Sequence, residues 1–219
     1  MKKTLFFSNI VGDICSKDSD DIRFNNYMEN YLQENIINNA NLLFINAPGL
    51  GGEENYLNNI IKCFEKIGII FDDILDIEID TNKETIDNFI TKKDNIVIFL
   101  MGGNPYIQKD IIDKNELNDF IKNYKGLVIG FCAGAINLSK YSIITTDEDF
   151  EIKDSYKGLG RENIIIEPHY NSELDINRNE EIEYFSKKYN NSIYALPDES
   201  IIYFEDGKKY IKGKYKVFN

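Results

Sequence analysis

Leu127-Val128-Ile129-Gly130-Phe131-Cys132-Ala133-Gly134-Ala135 is the stretch that decides the fold. Leu127–Phe131 reads as a short buried strand, and residues 132–135 read as a sharp turn into a helix. Gly130 and Gly134 flank Cys132 in the spacing Gly-x-nucleophile-x-Gly. Small residues on both sides let the backbone turn tightly, so the central side chain stands at the upper edge of a sheet. Cys132 is thus a candidate nucleophile. The Ala133 N–H, at the start of the helix, is placed to meet an oxyanion, and the helix N-terminus favours a thiolate. A buried structural cysteine in a glycine-rich turn is the plainer reading of the same residues.

Outward from this point the chain alternates apolar runs with amphipathic stretches. Met1–Phe7 reads as a first strand, and Leu42–Asn46 as a buried strand ending at a turn over residues 47–52. Glu53 to about Lys66 reads as a helix, with Tyr56, Ile60, Cys63, Phe64 and Ile67 on one face. Ile69–Ile79 reads as a strand region and Lys83–Lys92 as a helix. Asn95–Met101 is a strand closed by Gly102-Gly103-Asn104, and Pro105–Tyr124 is the next helix. Ile193–Leu196, Ser200–Glu205 and Lys209–Lys212 read as short strands, with an Asp206-Gly207 turn making a terminal antiparallel hairpin. This order predicts an α/β fold over residues 1–219. It is a single domain with an open, mostly parallel sheet, helices on both faces and a C-terminal β-hairpin. In such sheets the functional site lies beyond the carboxyl ends of the strands.

Other candidates fall at that edge. His169, the only histidine of the chain, ends the apolar run Ile164-Ile165-Ile166-Glu167-Pro168 and is placed to act as a general base. A surface loop histidine is the bland alternative. Asp147, Glu148 and Asp149 follow Ile143-Ile144-Thr145-Thr146 and lie between Cys132 and His169 in the chain, where a triad acid is expected. Glycines in Met101-Gly102-Gly103-Asn104 permit close backbone approach and offer a second oxyanion N–H. Gly49–Gly52 is not followed by Gly-Lys-Ser/Thr, so nucleotide binding has no support.

Composition narrows the classes. With 37 acidic and 25 basic residues the net charge is −12, which repels phosphate backbones and argues against nucleic acid. No apolar run approaches the roughly 20 residues of a membrane span. Asn9, Asp13 and Lys17 interrupt what begins like a signal peptide. Cys15, Cys63 and Cys132 lack metal-ligand spacing, and one histidine leaves no Cys/His metal cluster. The expectation is a cytoplasmic protein that needs no metal or cofactor.

The strand ending in Gly-Gly-Asn, the elbow with Ala-Gly-Ala after the nucleophile, the Thr-Thr-acid segment and Pro-His-Tyr together resemble the dipeptidase E and cyanophycinase family. These are serine peptidases with a class I glutamine amidotransferase-like fold. Ala195-Leu196-Pro197-Asp198-Glu199-Ser200, followed by a hairpin, is also similar. The resemblance runs from about Asn41 to the end and is strongest from Asn95 to Tyr170. It implies Cys132 at the nucleophilic serine position, His169 as the base, and Asp147 as triad acid with Glu148 as fallback. It also implies an oxyanion hole from Gly103 and Ala133, with Gly102, Asn104 and Tyr170 against the substrate.

Family members cleave small peptides with an N-terminal aspartate, or β-aspartyl–arginine linkages. If such a carboxylate is recognised here, Asn104, Arg161 or Arg178 is expected to meet it. The departure is the cysteine: sulfur ionises more readily than a hydroxyl but is larger, so attack geometry must differ. Two other readings stand beside this one. A class I glutamine amidotransferase-like amidohydrolase also has a cysteine elbow, but carries glutamate two residues after its histidine, where this chain has Asn171. A non-catalytic or thiol-sensing protein that kept the fold is the other.

Overall fold

The computed structural model describes residues 1–14, 21–48, 56–146, 150–171 and 176–219. The first half of the chain alternates strand and helix: β1 (Lys3–Phe7), α1 (Asn26–Asn35), β2 (Asn41–Ile45), α2 (Tyr56–Lys66), β3 (Asp73–Ile77), α3 (Lys83–Lys92) and β4 (Ile96–Leu100). Then come α4 (Pro105–Lys114), α5 (Asn118–Asn123), β5 (Leu127–Phe131), α6 (Ala133–Leu138), β6 (Tyr141–Ile144), β7 (Asp154–Lys157) and β8 (Ile165–Glu167). The chain closes with α7 (Ile176–Tyr189), β9 (Ile193–Ala195), β10 (Ile201–Glu205), β11 (Lys208–Lys212) and β12 (Lys216–Phe218).

Strands apolar on both faces form the middle of the sheet. In β2, β4 and β5 every residue is buried. Leu42, Phe44, Val97, Phe99, Leu127, Ile129 and Phe131 pack into one layer with α1 and α2, through Met28, Leu32, Ile60 and Phe64. Leu43, Ile45, Ile98, Leu100 and Val128 point the other way, against Ile86, Phe89, Ile111, Ile112, Ile121 and Leu138 of α3–α6. Such two-sided burial is what a parallel sheet requires. The seven-stranded sheet runs β11-β10-β1-β5-β4-β2-β3. From β1 to β3 neighbouring strands are parallel, while β10 joins β1 antiparallel. A smaller sheet, β12-β9-β8, is covered by α7 around Ile182 and Phe185, and β6 and β7 form a separate hairpin.

The expected α/β sheet is therefore observed, with local differences. The single helix expected over Pro105–Tyr124 is two. Asn115 turns its side chain back to the Ile111 carbonyl at 2.9 Å, and Glu116 adopts a left-handed φ of 56°, so the axis breaks before α5. The strand expected over Ile69–Ile79 is confined to Asp73–Ile77. Residues 53–55, expected at the start of a helix, lie outside the described residues. The terminal hairpin turns at Asp206 and Gly207, with φ of 45° and 83°, the two-residue geometry that matches strand twist. It does not stand apart, because β10 extends the main sheet. Among the described residues no helix is long and apolar enough to cross a membrane.

Candidate active site

Cys132 caps the N-terminus of α6 with φ 47° and ψ −106°, a strained backbone for a residue with a side chain. Its N–H donates to the Phe7 carbonyl at 3.0 Å, and its carbonyl accepts from Ile136 at 3.0 Å, so both sides of the turn are pinned. The flanking glycines have a steric reason. A Cβ on Gly134 would lie 2.2 Å from the Leu100 carbonyl oxygen, and one on Gly130 would lie 2.8 Å from Gly134. α6 can sit this close to β4 and β5 only without them, and that closeness lifts the Cys132 side chain over the carboxyl edge of the sheet.

His169 is placed by the smaller sheet. Leu196 donates its N–H to the Glu167 carbonyl at 2.8 Å and accepts from the Tyr170 N–H at 3.0 Å, so it spans Pro168 and His169. These two residues project from the strand end, with His169 at φ 54°. Arg178 of α7 holds that bulge from below, donating to the Pro168 carbonyl at 2.7 Å and the His169 carbonyl at 3.1 Å. Arg178 is in turn fixed by the buried Glu167 at 2.6 Å and by Thr145 Oγ1 at 2.9 Å.

Two partners meet the imidazole. Nδ1 donates to Asp198 Oδ1 at 2.7 Å, and the Cys132 side chain is near enough to act on the charge of the ring, which leaves Nε2 for the thiol. Partial desolvation disfavours the imidazolium. The hydrogen bonds and charges of Asp198 and Cys132 outweigh it, lifting the His169 pKa from 6.5 to about 10. The same bond to His169 holds the Asp198 carboxyl below its usual value, with burial opposing. Asn9 adds a second contact to the carboxylate, Nδ2 to Asp198 Oδ2 at 3.3 Å. The Asn9 amide is oriented by accepting the Ile10 N–H at 2.9 Å.

The Gly102-Gly103-Asn104 loop faces the elbow. A Cβ on Gly102 would come within 3.2 Å of Cys132 Cβ, and Gly103 has φ 123° with the Ala47 carbonyl where a Cβ would be. Beneath it, Gln108 donates to the Met101 carbonyl at 2.7 Å, and Asn137 donates to the Pro105 carbonyl at 2.9 Å. The loop backbone is thereby held by buried amides.

The structure therefore brings Cys132, Ala133, His169, Gly102 and Gly103 to one edge. Asp147 and Glu148 lie outside the described residues. The carboxylate on His169 belongs to Asp198, which stands out in the sequence only as part of the Ala195–Ser200 segment. Asn104 uses its side-chain oxygen to cap α4, accepting from Tyr106 and Ile107 N–H at 3.0 and 3.2 Å. Tyr170 is buried in the third apolar cluster, edge-on to Phe218, with its hydroxyl on Asn179 at 2.8 Å. Arg161 is 2% exposed and donates to Thr4, Ile121 and Lys3 beneath the opposite end of the strands. Among the described residues no group of three or more His, Cys, Asp or Glu side chains is arranged to hold a metal.

Residues 15–212 match peptidase family S51. The chain belongs to peptidase family S51. Membership in S51, the dipeptidase E family, makes it a hydrolase of the peptidase class, in a family whose members are serine-type. Two solved structures share the fold. A Listeria monocytogenes EGD-e protein assigned as a peptidase E superposes with a TM-score of 0.64 at 19% identity, over 97% of this chain and 98% of that one. A peptidase from an acI-B1 Actinobacterium gives 0.62 at 16%, over 99% and 89%. No curated protein matches the sequence. The S51 chain thus has the expected peptidase E-like architecture, a large, mostly parallel sheet between helical layers.

Proposed function

We propose that this S51 protein hydrolyses small peptides with Cys132 as nucleophile, His169 as general base and acid, and Asp198 as the group that orients the imidazole. The observation that carries the reading is His169 itself, held on Nδ1 by Asp198 at 2.7 Å and interacting with the Cys132 side chain. Nε2 takes the Cys132 proton, and the thiolate forms a bond to the peptide carbonyl carbon. The Gly103 and Ala133 N–H groups hold the resulting oxyanion. His169 then gives the proton to the leaving amine as the C–N bond breaks. In the second half His169 deprotonates a water, which attacks the thioester and returns the thiol. The negative Asp198 keeps Nδ1 protonated throughout, so Nε2 is always the working nitrogen. In this reading Asp198 does the work that Asp147 or Glu148 was expected to do. The enzyme acts in the cytoplasm and requires no cofactor.

Turnover of a panel of dipeptides tests the reading, together with the rate of Cys132 alkylation against pH. Cys132-dependent cleavage, and an alkylation rate at neutral pH that drops in His169→Ala, are the expected results. Dipeptide turnover unchanged by His169→Ala would sink the mechanism.

A further inference from the structure

Away from Cys132 and His169 the fold holds a cavity of about 530 Å³. Lys122, which precedes β5, and Asn163, which precedes β8, both line it, so it lies toward the amino ends of the strands. One wall is the β6–β7 hairpin, where Tyr141 pairs with Lys157 and Ser155 alternates onto the same face. Tyr189 of α7 stacks on Tyr141 with ring centroids 4.0 Å apart and donates its hydroxyl to Ser155 Oγ at 2.8 Å. Another wall is the loop laid against the end of α6. A Cβ on Gly158 would lie 2.2 Å from the Ser139 carbonyl oxygen. Leu159 and Gly160 donate to the Asn137 and Ser139 carbonyls at 2.8 and 2.9 Å. The space is thus framed by backbone that is already paired.

Its charge runs against that of the chain. The net charge is −12, yet Lys122, Lys140 and Lys157 all line this cavity. None of the three forms an ion pair with a carboxylate among the described residues. The lining carboxylate, Glu162, is already engaged by Lys2 Nζ at 2.9 Å and Thr4 Oγ1 at 2.7 Å. Like charges around one space repel one another, and an anion placed among them turns that repulsion into attraction. The lysines also narrow the anion. Their combined charge exceeds what a single phosphate monoester carries at neutral pH. Compact ammonium groups act as point charges on phosphate oxygens, whereas planar, bidentate recognition of a carboxylate is the work of a guanidinium.

We propose that this cavity is a second binding site, for a small molecule bearing a diphosphate, with Lys122, Lys140 and Lys157 on its oxygens. The Tyr141–Tyr189 pair supplies an apolar wall for an organic group attached to that diphosphate. The proposal is independent of the peptidase reading, and its tests need no turnover.

Pyrophosphate, citrate and ADP are each titrated calorimetrically into the protein at low ionic strength without divalent metal. Pyrophosphate is expected to saturate one site, and citrate, of similar charge, to bind about tenfold more weakly or worse. Lys140→Gln/Lys157→Gln should weaken pyrophosphate by about tenfold or more. Lys208→Gln/Lys212→Gln, which removes the same charge from exposed positions of β11, should weaken it by less than about twofold. ADP binding tighter than pyrophosphate assigns the site to a diphosphate ester that uses the tyrosines, and weaker binding assigns it to the free diphosphate. Absence of saturable pyrophosphate binding overturns the proposal. So does citrate binding as tightly, or an equal loss in the two double variants. Should Lys140→Gln/Lys157→Gln fail to fold, acetylation of the wild type read by mass spectrometry decides. Pyrophosphate should shield Lys140 and Lys157 from acetylation but not Lys208 and Lys212, and no difference between the two pairs overturns the site.

Discussion

A buried and a half-buried arginine mark the two ends of the sheet, and they are used differently. At the amino ends of the strands, Arg161 forms no ion pair with a carboxylate among the described residues and donates to the carbonyls of Lys3, Ile121, Tyr124 and Gly126 and to Thr4 Oγ1. Burial lowers its pKa to about 10, with Glu162 and Tyr124 opposing. It joins β1, the end of α5 and the start of β5 with one side chain. At the carboxyl ends, Arg178 is matched to Glu167 and holds the backbone beneath the base. The lower end secures the fold, whereas the upper end maintains a conformation the chain would not choose alone. Cys132 and His169, both at positive φ, sit at the upper end.

This contrast is broken most directly at Cys132, the proposed nucleophile. Cys132→Ala is expected to lower kcat/KM by on the order of 10⁴-fold or more, while the melting temperature stays unchanged. Asp198→Asn is expected to cost roughly 10²–10⁴-fold in kcat in a protein that still folds but melts lower near neutral pH. The alkaline limb of the pH–rate profile, set by His169 at about 10, should also move toward neutrality in that variant. An unshifted limb would remove Asp198 from the mechanism.

The lower end should answer in the opposite sense. Arg161→Met leaves several buried carbonyls without a donor and is expected to cost about 3 kcal/mol or more in denaturant melts. Turnover of the folded fraction in the cold should stay near wild type. A milder probe of the upper end is pH. The His169 pKa is raised on folding, so its contribution to stability is complete below about 6.5 and fades as pH climbs through about 10. Melting temperature should decline across that window, and Asp198→Asn should flatten the decline. The smallest effect expected is at the lower-end turn, where Gly207→Ala forces a side chain onto φ 83° and should cost about 1 kcal/mol.

The parts of the fold that could be read in the sequence are those with a regular apolar spacing. Leu127–Phe131 and Lys83–Lys92 have the bounds their apolar spacing indicates. α1 gave no such signal. It is rich in Asn and Glu, buries only Met28, Tyr31 and Leu32, and owes its start to the Asn25 side chain accepting from Tyr27 and Met28. At the site, Cys132 and His169 stand out because each ends a strand with a distinctive residue type. Asp198 did not, since one carboxylate among 37 acidic residues carries little information. The signal lay in pairing rather than composition. β9 runs parallel to β8, so the residues after Ala195 and after Glu167 emerge at the same edge. Gln108 and Asn137 were equally silent, because buried amides under a loop leave no periodic trace.

β1 lies between β5 and β10, so the earliest strand has partners about 125 and 200 residues further along. During synthesis the thiol, the imidazole and the carboxylate emerge in that order, and Asp198 comes just before the strand that covers the outer side of β1. A half-made chain therefore carries Cys132 without the carboxylate that His169 meets in the folded protein. The elements that bring Cys132, His169 and Asp198 together are therefore complete only when the sheet is.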